Sequence, residues 1–311
     1  MKALVAPAYI SLDQLSVTDA PDPVAGPREV LIEVRAAALN PLDAALVTGA
    51  MRELMPVEHP FVVGMDAAGT VAAVGEGVTD FAVGDDVIAY THFHPGTIAE
   101  YTLAAPGPYL AHRPEGLDVV HGAAMPAVSL SAECVVEAAS IQPGQTVLII
   151  GATGGVGSFA VQLATQAGAT VIATAAPDDI EYALGLGAAE VIDYTGDDPV
   201  RHVLQQQPGG VDVVVDLINR GPALATTATA VRVGGRLVST LMGPDELDRD
   251  VTPVYVRMTA PEGRLQRLAE DVAAGRLIVE VATTYALAEA PKALADFAAG
   301  KHSRGKVVIT V

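Results

Sequence analysis

The chain has 311 residues, of which 50% are apolar and 18% are charged. This length fits two domains that each bury a core, and the composition excludes a disordered chain. With 37 acidic and 18 basic residues, the formal net charge is −19, which argues against nucleic acid or an anionic membrane surface as a partner. Any ligand that carries phosphate therefore needs backbone amides or a helix terminus to hold it.

The cysteine content and the N-terminus bear on the cellular compartment. Cys134 is the only cysteine, so the chain can form no internal disulfide and no cysteine-rich metal cage. The stretch 1–13 reaches Pro, Ser and Asp too early for a secretory signal, and no apolar run is long enough to span a membrane. We therefore expect a cytoplasmic protein without a membrane partner.

The first part of the chain predicts an antiparallel, β-rich domain. Short runs that favour strands are separated by turns rich in Gly, Pro and Asp. These runs are VLIEVRAAAL (30–39), GTVAAVG (69–75), DDVIAY (85–90) and IAEYTLA (98–104). Around His121 the sequence changes to Ala-rich stretches of helical period, so we place the end of this domain at residue 118.

Residues 119–258 predict a doubly wound α/β domain. Short β-branched runs recur there with spacers of helix length between them. The runs are TVLII (146–150), TVIAT (170–174), EVID (190–193), VDVVVD (211–216) and GRLVS (235–239). Such runs are typical of strands buried on both faces of a parallel sheet. Further on, the chain predicts helices at 264–277 and 288–299 and a final strand at 306–311, which we expect to rejoin the first domain.

A glycine-rich loop, Gly151–Gly157, follows the run TVLII and precedes a helical stretch that ends at Gly168. Glycines permit a tight turn, a close approach of the backbone to a pyrophosphate and tight packing of helix on strand, while the helix N-terminus presents free N–H groups. A strand, a loop and a helix in this order predict a dinucleotide site. An ordinary tight turn, or a methyl donor as the ligand, are the alternatives.

The residues that would choose between the two nicotinamide dinucleotides are ambiguous. The second strand ends near Ala175, where a site for NAD commonly has an acidic residue. Between residues 175 and 187 the sequence has no Lys or Arg to hold a 2′-phosphate. The acidic residues nearby are Asp178, Asp179 and Glu181. Local chemistry alone leaves both NADH and NADPH open.

Five segments together resemble one known family: AAALNPLDAALVTG (36–49), GMDAAGTVAAVGEGVTDFAVGDDV (64–87), GTIAEY (96–101), the run 122–157 and GKHSRGKVVITV (300–311). They resemble the medium-chain dehydrogenases/reductases, in the zinc-independent quinone oxidoreductase (zeta-crystallin-like) branch, over nearly the whole chain. The resemblance implies an α/β protein with a GroES-like substrate domain (1–118 and 259–311) and a central Rossmann domain (119–258). It also implies NADPH as the usual reductant, with NADH not excluded, and a homodimer.

The same resemblance implies roles for individual residues. Asn40 and Asp43 would line the active cleft, although a turn of the pattern Asn-Pro-x-Asp is an alternative interpretation. Ser131 would lie near the nicotinamide, and Tyr194 would lie at the adenosine phosphate end. The other residues expected at the cofactor are Thr153, Gly154, Gly155, Val156, Gly157, Ala175, Leu241 and Lys306.

Departures from the family pattern concern the metal and the specificity. Where zinc-dependent relatives have Cys and His, this chain has Asn40 and Met65. Zinc needs three or four protein ligands of the right kind, so we predict no metal. Ala44 replaces a larger residue, which would enlarge the substrate pocket. Ala176 and Pro177 replace polar and basic residues that often bind a 2′-phosphate.

Four other side chains are candidates for a functional role. His92 and His94 lie close together in the loop THFHPG, but two His without a third ligand make a poor metal site, which favours a solvated loop. Cys134 has no basic neighbour in the sequence and fits a small apolar filler. For Tyr101 we favour packing over acid catalysis.

These features predict hydride transfer from NAD(P)H to a small electrophilic acceptor, such as a quinone or an activated alkene or carbonyl compound. Such an acceptor needs no metal, because donors such as Asn40 or backbone amides can meet its developing negative charge. Reduction of a 2-enoyl thioester is the enzymatic alternative. A redox sensor that binds NAD(P)H without turnover is the alternative from another class.

Overall fold

The computed structural model describes residues 1–92, 95–302 and 304–311. Backbone contacts divide the chain into unit 1, Met1–Ala127 with Ala260–Val311, and unit 2, Val128–Thr259. The first boundary lies at residue 127, whereas the sequence indicated 118, because helix Val119–Ala124 packs on strands of unit 1.

The secondary-structure elements are numbered here in chain order. The strands are β1 (Lys2–Ala6), β2 (Ser16–Asp19), β3 (Val30–Ala38), β4 (Phe61–Val62), β5 (Asp66–Val74), β6 (Asp86–Tyr90), β7 (Tyr101–Ala104), β8 (Leu110–His112), β9 (Thr146–Ile150), β10 (Thr170–Ala175), β11 (Glu190–Asp193), β12 (Val211–Asp216), β13 (Val231–Ser239), β14 (Thr252–Tyr255), β15 (Val281–Ala286) and β16 (Lys306–Thr310). The α-helices are α1 (Pro41–Thr48), α2 (Val119–Ala124), α3 (Pro126–Ala139), α4 (Gly155–Gln166), α5 (Ile180–Gly185), α6 (Pro199–Gln206), α7 (Pro222–Ala228), α8 (Arg264–Ala273) and α9 (Ala290–Ala298). Single-turn 3-10 helices span Leu12–Gln14, Pro177–Asp179 and Leu287–Glu289.

Unit 1 is built on a mixed sheet in the order β15-β16-β3-β5-β6-β8, with β7 also paired to β3. Strand β16 runs parallel to β15 and antiparallel to β3, with Val308 opposite Ala38. The last strand of the chain therefore lies in the same sheet as strands from its first third. A smaller antiparallel sheet, β2-β1-β4, and helix α9 cover an apolar core that includes Leu4, Phe61 and Leu294.

Unit 2 is a sheet of parallel strands in the order β11-β10-β9-β12-β13-β14. Its central strands are buried on both faces, which explains their continuous β-branched runs. From β9 the chain first adds strands on one side, β10 and β11, and later on the other, β12 to β14. The predicted doubly wound parallel sheet is confirmed, and ligands in such sheets bind at the carboxyl ends of the strands, where the order reverses.

Several element bounds differ from the sequence-based expectation. Strand β7 begins at Tyr101 and not at residue 98, and α8 ends at Ala273, four residues before the expected 277. Strand β14 was not predicted, because Pro253 interrupts its short run; it is tolerated there because β14 is an edge strand. Among the described residues, no helix has both the length and the apolar character that crossing a bilayer requires.

Candidate functional site

The glycine loop of unit 2 forms the turn between β9 and α4. Gly151 has φ 83°, in the left-handed region that favours glycine, and its N–H donates to the Thr174 hydroxyl at 3.1 Å. Gly154 is the N-cap of α4 and offers no side chain to occupy the first-turn amides. The N-terminus of α4 is therefore left as a positively polarised end directed at the loop.

Gly157 is the residue on which the loop geometry depends. A Cβ at this position would lie 2.0 Å from the Gly151 carbonyl oxygen. Only glycine therefore allows the first turn of α4 to pack this closely on the loop. Thr153, Gly154, Gly155 and Val156, the other residues predicted to bind the pyrophosphate, lie between these two glycines in the sequence.

Two expected cofactor residues meet at the carboxyl ends of β10 and β11. The Tyr194 N–H donates to the Ala175 carbonyl at 3.3 Å, and Ala175 pairs with Asp193 across the two strands. The Tyr194 side chain is 47% exposed. Leu241 follows β13, and its N–H donates to the Ser239 hydroxyl at 3.0 Å. These residues lie at the same edge of the sheet as the glycine loop.

Asn40 and Asp43 lie in unit 1, at the start of α1. Asn40 is the N-cap, and its N–H donates to Asp43 Oδ2 at 2.7 Å. This bond from Asp43 to the N-cap backbone explains the Asn-Pro-x-Asp pattern as helix-initiating chemistry. Both side chains are also buried inside a larger polar cluster, so helix initiation and membership of this cluster coexist.

The Asn40 amide is fully engaged within that cluster. Its Oδ1 accepts from Lys306 Nζ at 2.7 Å, and its Nδ2 donates to Asp66 Oδ2 at 2.9 Å and to the Ala38 carbonyl at 3.4 Å. Both amide hydrogens thus already have acceptors inside unit 1. In this arrangement Asn40 positions its neighbours and has no spare N–H for an acceptor's developing negative charge.

Lys306 and Asp66 supply the opposite charges of the cluster. Lys306 Nζ lies 3.6 Å from Asp66 Oδ2 and also donates to the Leu39 carbonyl at 2.6 Å. Asp66 Oδ1 accepts from the Ala127 N–H at 2.9 Å. Burial lowers the pKa of Lys306 and raises that of Asp66, and each charge counters the effect on the other. Lys306, which is expected to border the cofactor, has its ammonium bonded to these partners.

Asp43 has the electrostatic environment of a proton-holding group. Burial raises the pKa of its carboxyl to about 7. The hydrogen bond from the Asn40 backbone N–H and the charge of Lys306 oppose this rise. Asp43 is 1% exposed, and its Oδ1 has no hydrogen-bond partner among the described residues. This carboxyl can therefore gain or lose a proton near neutral pH.

Tyr90 is a neighbour of the cluster that sequence reasoning missed. Burial, and then the charges of Asp66 and Asp43, raise the pKa of its phenol, and its hydroxyl donates to Met65 Sδ at 3.8 Å. The ring packs edge-on against His92, with centroids 4.6 Å apart. No sequence motif marks Tyr90, since only tertiary structure brings it to the cluster.

The remaining candidates have structural surroundings. Partial burial lowers the pKa of His92, which favours the neutral imidazole, and His94 lies outside the described residues. Cys134 is buried in α3, and its thiol donates to the Thr259 carbonyl at 3.1 Å, consistent with the predicted filler role. Ser131 is half-buried on the same helix.

The unit 1 cluster does not fit a zinc ion. Asn40 and Asp66 are bonded to the Lys306 ammonium and to each other, so a cation already occupies their acceptor atoms. Across residues 1–92, 95–302 and 304–311, no group of three or more His, Cys, Asp or Glu is arranged to hold a metal. No chemical step through a metal follows from these residues.

Comparison with known proteins relates both units to dehydrogenases. The alcohol dehydrogenase GroES-like domain matches residues 26–140, and the zinc-binding dehydrogenase domain matches residues 186–309. The chain is 31% identical to an NADPH-dependent alkenal/one oxidoreductase of Arabidopsis thaliana. The alignment has 324 positions including gaps and covers 99% of this chain and 79% of that protein. The β-rich unit 1 thus has the expected GroES-like relationship.

Two further proteins are similar to this chain. A chloroplastic quinone-oxidoreductase homolog of Spinacia oleracea is 38% identical over 181 residues, which cover 56% of this chain and about half, 54%, of that relative. The solved structure of the quinone oxidoreductase from Coxiella burnetii is 28% identical, with a TM-score of 0.88, and the match covers 100% of this chain and 99% of that one.

Proposed function

Since the chain belongs to the quinone oxidoreductase branch of the medium-chain dehydrogenases/reductases, we propose that it transfers a hydride from NAD(P)H to a quinone or another electron-poor small molecule. The similarity extends over the whole chain, and two relatives are named for quinone and alkenal/one substrates. The observation that carries the proposal is the approach of Gly157 to Gly151, which only a glycine permits.

Unit 2 would bind the dinucleotide through its backbone. The first-turn amides of α4 and the loop Gly151–Gly157 would hold the pyrophosphate, because the helix N-terminus favours an anion and the glycines leave room for it. When bound, the nicotinamide supplies the hydride. The residues around it need only hold the acceptor in register and exclude water.

Unit 1 would contribute a fixed electrostatic environment. Hydrogen bonds restrain the side chains of Lys306, Asp66 and Asn40. Asp43 is held at the start of α1 because it accepts from the Asn40 backbone N–H. Hydride transfer to a quinone also requires a proton, for which water is a sufficient donor. We propose that zinc takes no part in the reaction. The Lys306 ammonium already occupies the oxygen atoms of Asn40 and Asp66 that a zinc ion would need.

The proposal also covers the binding partners, the cellular compartment and the oligomeric state. The strongly acidic composition favours a small-molecule substrate over nucleic acid or membrane. We propose a cytoplasmic homodimer, an assembly that the family resemblance implies. Size-exclusion chromatography with light scattering tests the dimer, and a mass near the monomer's 31.8 kDa would contradict it.

The test of function is the oxidation of NADH and NADPH by purified, chelator-treated protein, monitored at the nicotinamide absorbance. The acceptors are 1,4-benzoquinone, a 2-alkenal and a 2-enoyl thioester, each against an uncatalysed blank. We expect turnover with the quinone or the alkenal that added zinc does not increase. Turnover with the thioester alone would support the enoyl reductase alternative, and dinucleotide binding without any turnover would support a sensor.

A further inference from the structure

The carboxyl ends of β10 and β11 are surrounded by acidic side chains. In a doubly wound sheet the adenosine ribose lies beyond the strand next to the glycine-loop strand, which here is β10. A carboxylate at that point suits the ribose hydroxyls of NADH, whereas an Arg suits the 2′-phosphate of NADPH. The carboxylates at or shortly after these two strand ends are those of Asp178, Asp179, Glu181, Asp193, Asp197 and Asp198.

Backbone pairing brings the two strand ends to one surface. Ala175 pairs with Asp193, and the Tyr194 N–H donates to the Ala175 carbonyl at 3.3 Å. The loop after β10 then forms a 3-10 turn, Pro177–Asp179, in which Asp178 is exposed. Asp178 is therefore the first carboxylate beyond β10 that is open to solvent.

Three arginines of unit 2 are held near the amino ends of the strands, away from the strand ends where the adenosine would lie. Residues 128–259 contain six Arg and no Lys. Arg232 donates to Asp212 Oδ1 at 2.7 Å, Arg236 to the Ala138 carbonyl at 3.0 Å and Arg249 to the Thr229 carbonyl at 2.8 Å. Asp212 is near the start of β12, and Ala138 and Thr229 precede β9 and β13 in the chain. These bonds thus hold the three guanidinium groups near the amino ends of the strands.

The other three arginines are no better placed for a 2′-phosphate. Arg220 follows β12 and Arg257 follows β14, both on the far side of β9 from β10. Arg201, on α6, is the nearest in the sequence to these strand ends, and its guanidinium lies 2.5 Å from Asp197 Oδ1. Its charge is thus already matched by a carboxylate. The adenosine end of unit 2 therefore has an excess of negative charge.

We propose that this site binds NADH in preference to NADPH and that Asp178 is the specificity-determining residue. A ribose hydroxyl donates to a carboxylate, whereas a 2′-phosphate brings up to two negative charges towards Asp178 and its acidic neighbours. The preference opposes the NADPH that the family resemblance implies. It rests on the proposed function, since it requires the glycine loop to bind a dinucleotide.

The test is a binding measurement that does not depend on turnover. Isothermal titration calorimetry gives the dissociation constants of NADH and NADPH, and those of 5′-AMP and adenosine 2′,5′-bisphosphate, which differ only at the 2′ position. We expect NADH to bind at least about tenfold more tightly than NADPH at low salt. The ratio should shrink as the ionic strength rises from about 0.02 M to about 0.3 M, because salt screens the repulsion.

Variants locate the preference. Asp178→Asn removes the charge at nearly constant size, and we expect it to tighten NADPH and weaken NADH; Asp178→Arg should reverse the preference. Glu246→Gln is the matched control. It removes one exposed charge between β13 and β14, on the far side of β9 from β10, and should leave the ratio of NADH to NADPH affinity unchanged.

Three results would overturn the inference. NADPH binding as tight as NADH binding contradicts the preference but leaves the proposed function standing. A loss of tight NADPH binding in Arg201→Ala would show that Arg201 holds the 2′-phosphate, which also contradicts it. Failure of both dinucleotides to bind would instead remove the proposed function itself.

Discussion

Lys306 and Asp66 form a buried ion pair, with Nζ 3.6 Å from Oδ2 and side chains that are 4% and 0% exposed. The two residues come from the two separate chain segments of unit 1, on β16 and at the start of β5. Because both are removed from water, each charge depends on the other and on Asn40, which bonds to both.

Removing the lysine charge should strongly destabilise the protein. In Lys306→Met, Asp66 keeps its burial but loses its counter-charge, and we expect the free energy of unfolding to fall by about 3–5 kcal/mol. Urea denaturation monitored by circular dichroism measures it. Lys301→Met is the control, because Lys301 is 61% exposed in its ion pair with Asp296, and its effect should be much smaller. Equal effects of the two variants would contradict a buried, mutually dependent pair.

Asp43 should make stability fall as pH rises. Burial raises its pKa from the ordinary 3.8 to about 7 in the folded protein, so the folded state binds the proton more tightly. Its contribution to stability should therefore decline between about pH 4 and 7, by on the order of 4 kcal/mol. The Asp43→Asn side chain keeps an acceptor oxygen for the Asn40 backbone N–H, but it does not titrate.

The comparison of variant with wild type isolates this titration. Relative to wild type, Asp43→Asn should become progressively more stable from about pH 4 to about pH 7 and then level off, as measured by urea midpoints. A stability difference that does not vary with pH would show that Asp43 ionises normally in the folded protein.

The glycine loop should be intolerant of a single methyl group. In Gly157→Ala the new Cβ would meet the Gly151 carbonyl oxygen at 2.0 Å, so the backbone must shift. We expect dinucleotide affinity to fall at least about tenfold, which is about 1.4 kcal/mol. Gly185→Ala, on α5, is the matched control, since a Cβ there has no neighbour within 4 Å among the described residues. Normal affinity in Gly157→Ala would show that the loop does not carry the pyrophosphate.

His202 should stabilise the loop after β11 only at lower pH. Its ring lies 2.8 Å from both Asp197 Oδ2 and Glu190 Oε1, and these two partners raise its pKa, with Gln206 also bonded to the ring. A raised histidine pKa adds stability that is complete below about pH 6.5 and is lost as pH rises through the folded-state value. His202→Gln should therefore lower the melting temperature at pH 6 more than at pH 8.5. A constant difference would contradict this.

The strands of unit 2 were predictable because their environment is uniform. β9, β11 and β12 match their predicted runs. β9 and β12 lie inside the sheet, where coverage of both faces favours mostly apolar, β-branched residues. The glycine loop was predictable for a related reason, since its backbone geometry permits few other residues. Strand β14 contains Pro253, a residue that sequence patterns associate with turns, and was therefore missed.

The unit 1 cluster was predictable only in part. The resemblance pointed to Asn40, Asp43 and Lys306, but their mutual bonds depend on β16 pairing with β3, which no local pattern encodes. One signal was available: a Lys at the start of the apolar run KVVIT is unusual, and buried lysines are nearly always paired. The burial of Tyr90 beside this cluster left no such signal.

The position of β16 in the sheet has a consequence for synthesis on the ribosome. Unit 2 is a continuous segment, Val128–Thr259, and all its strands are available once that segment has emerged. Unit 1 remains incomplete until β16 has left the exit tunnel, so before that point the nascent N-terminal segment exposes the β3 edge and has Asp66 without its cation. Emergence of β16 is therefore the event that lets the N-terminal third of this protein reach its final state, and deletion of β16 should leave that third open to proteolysis and chaperone capture.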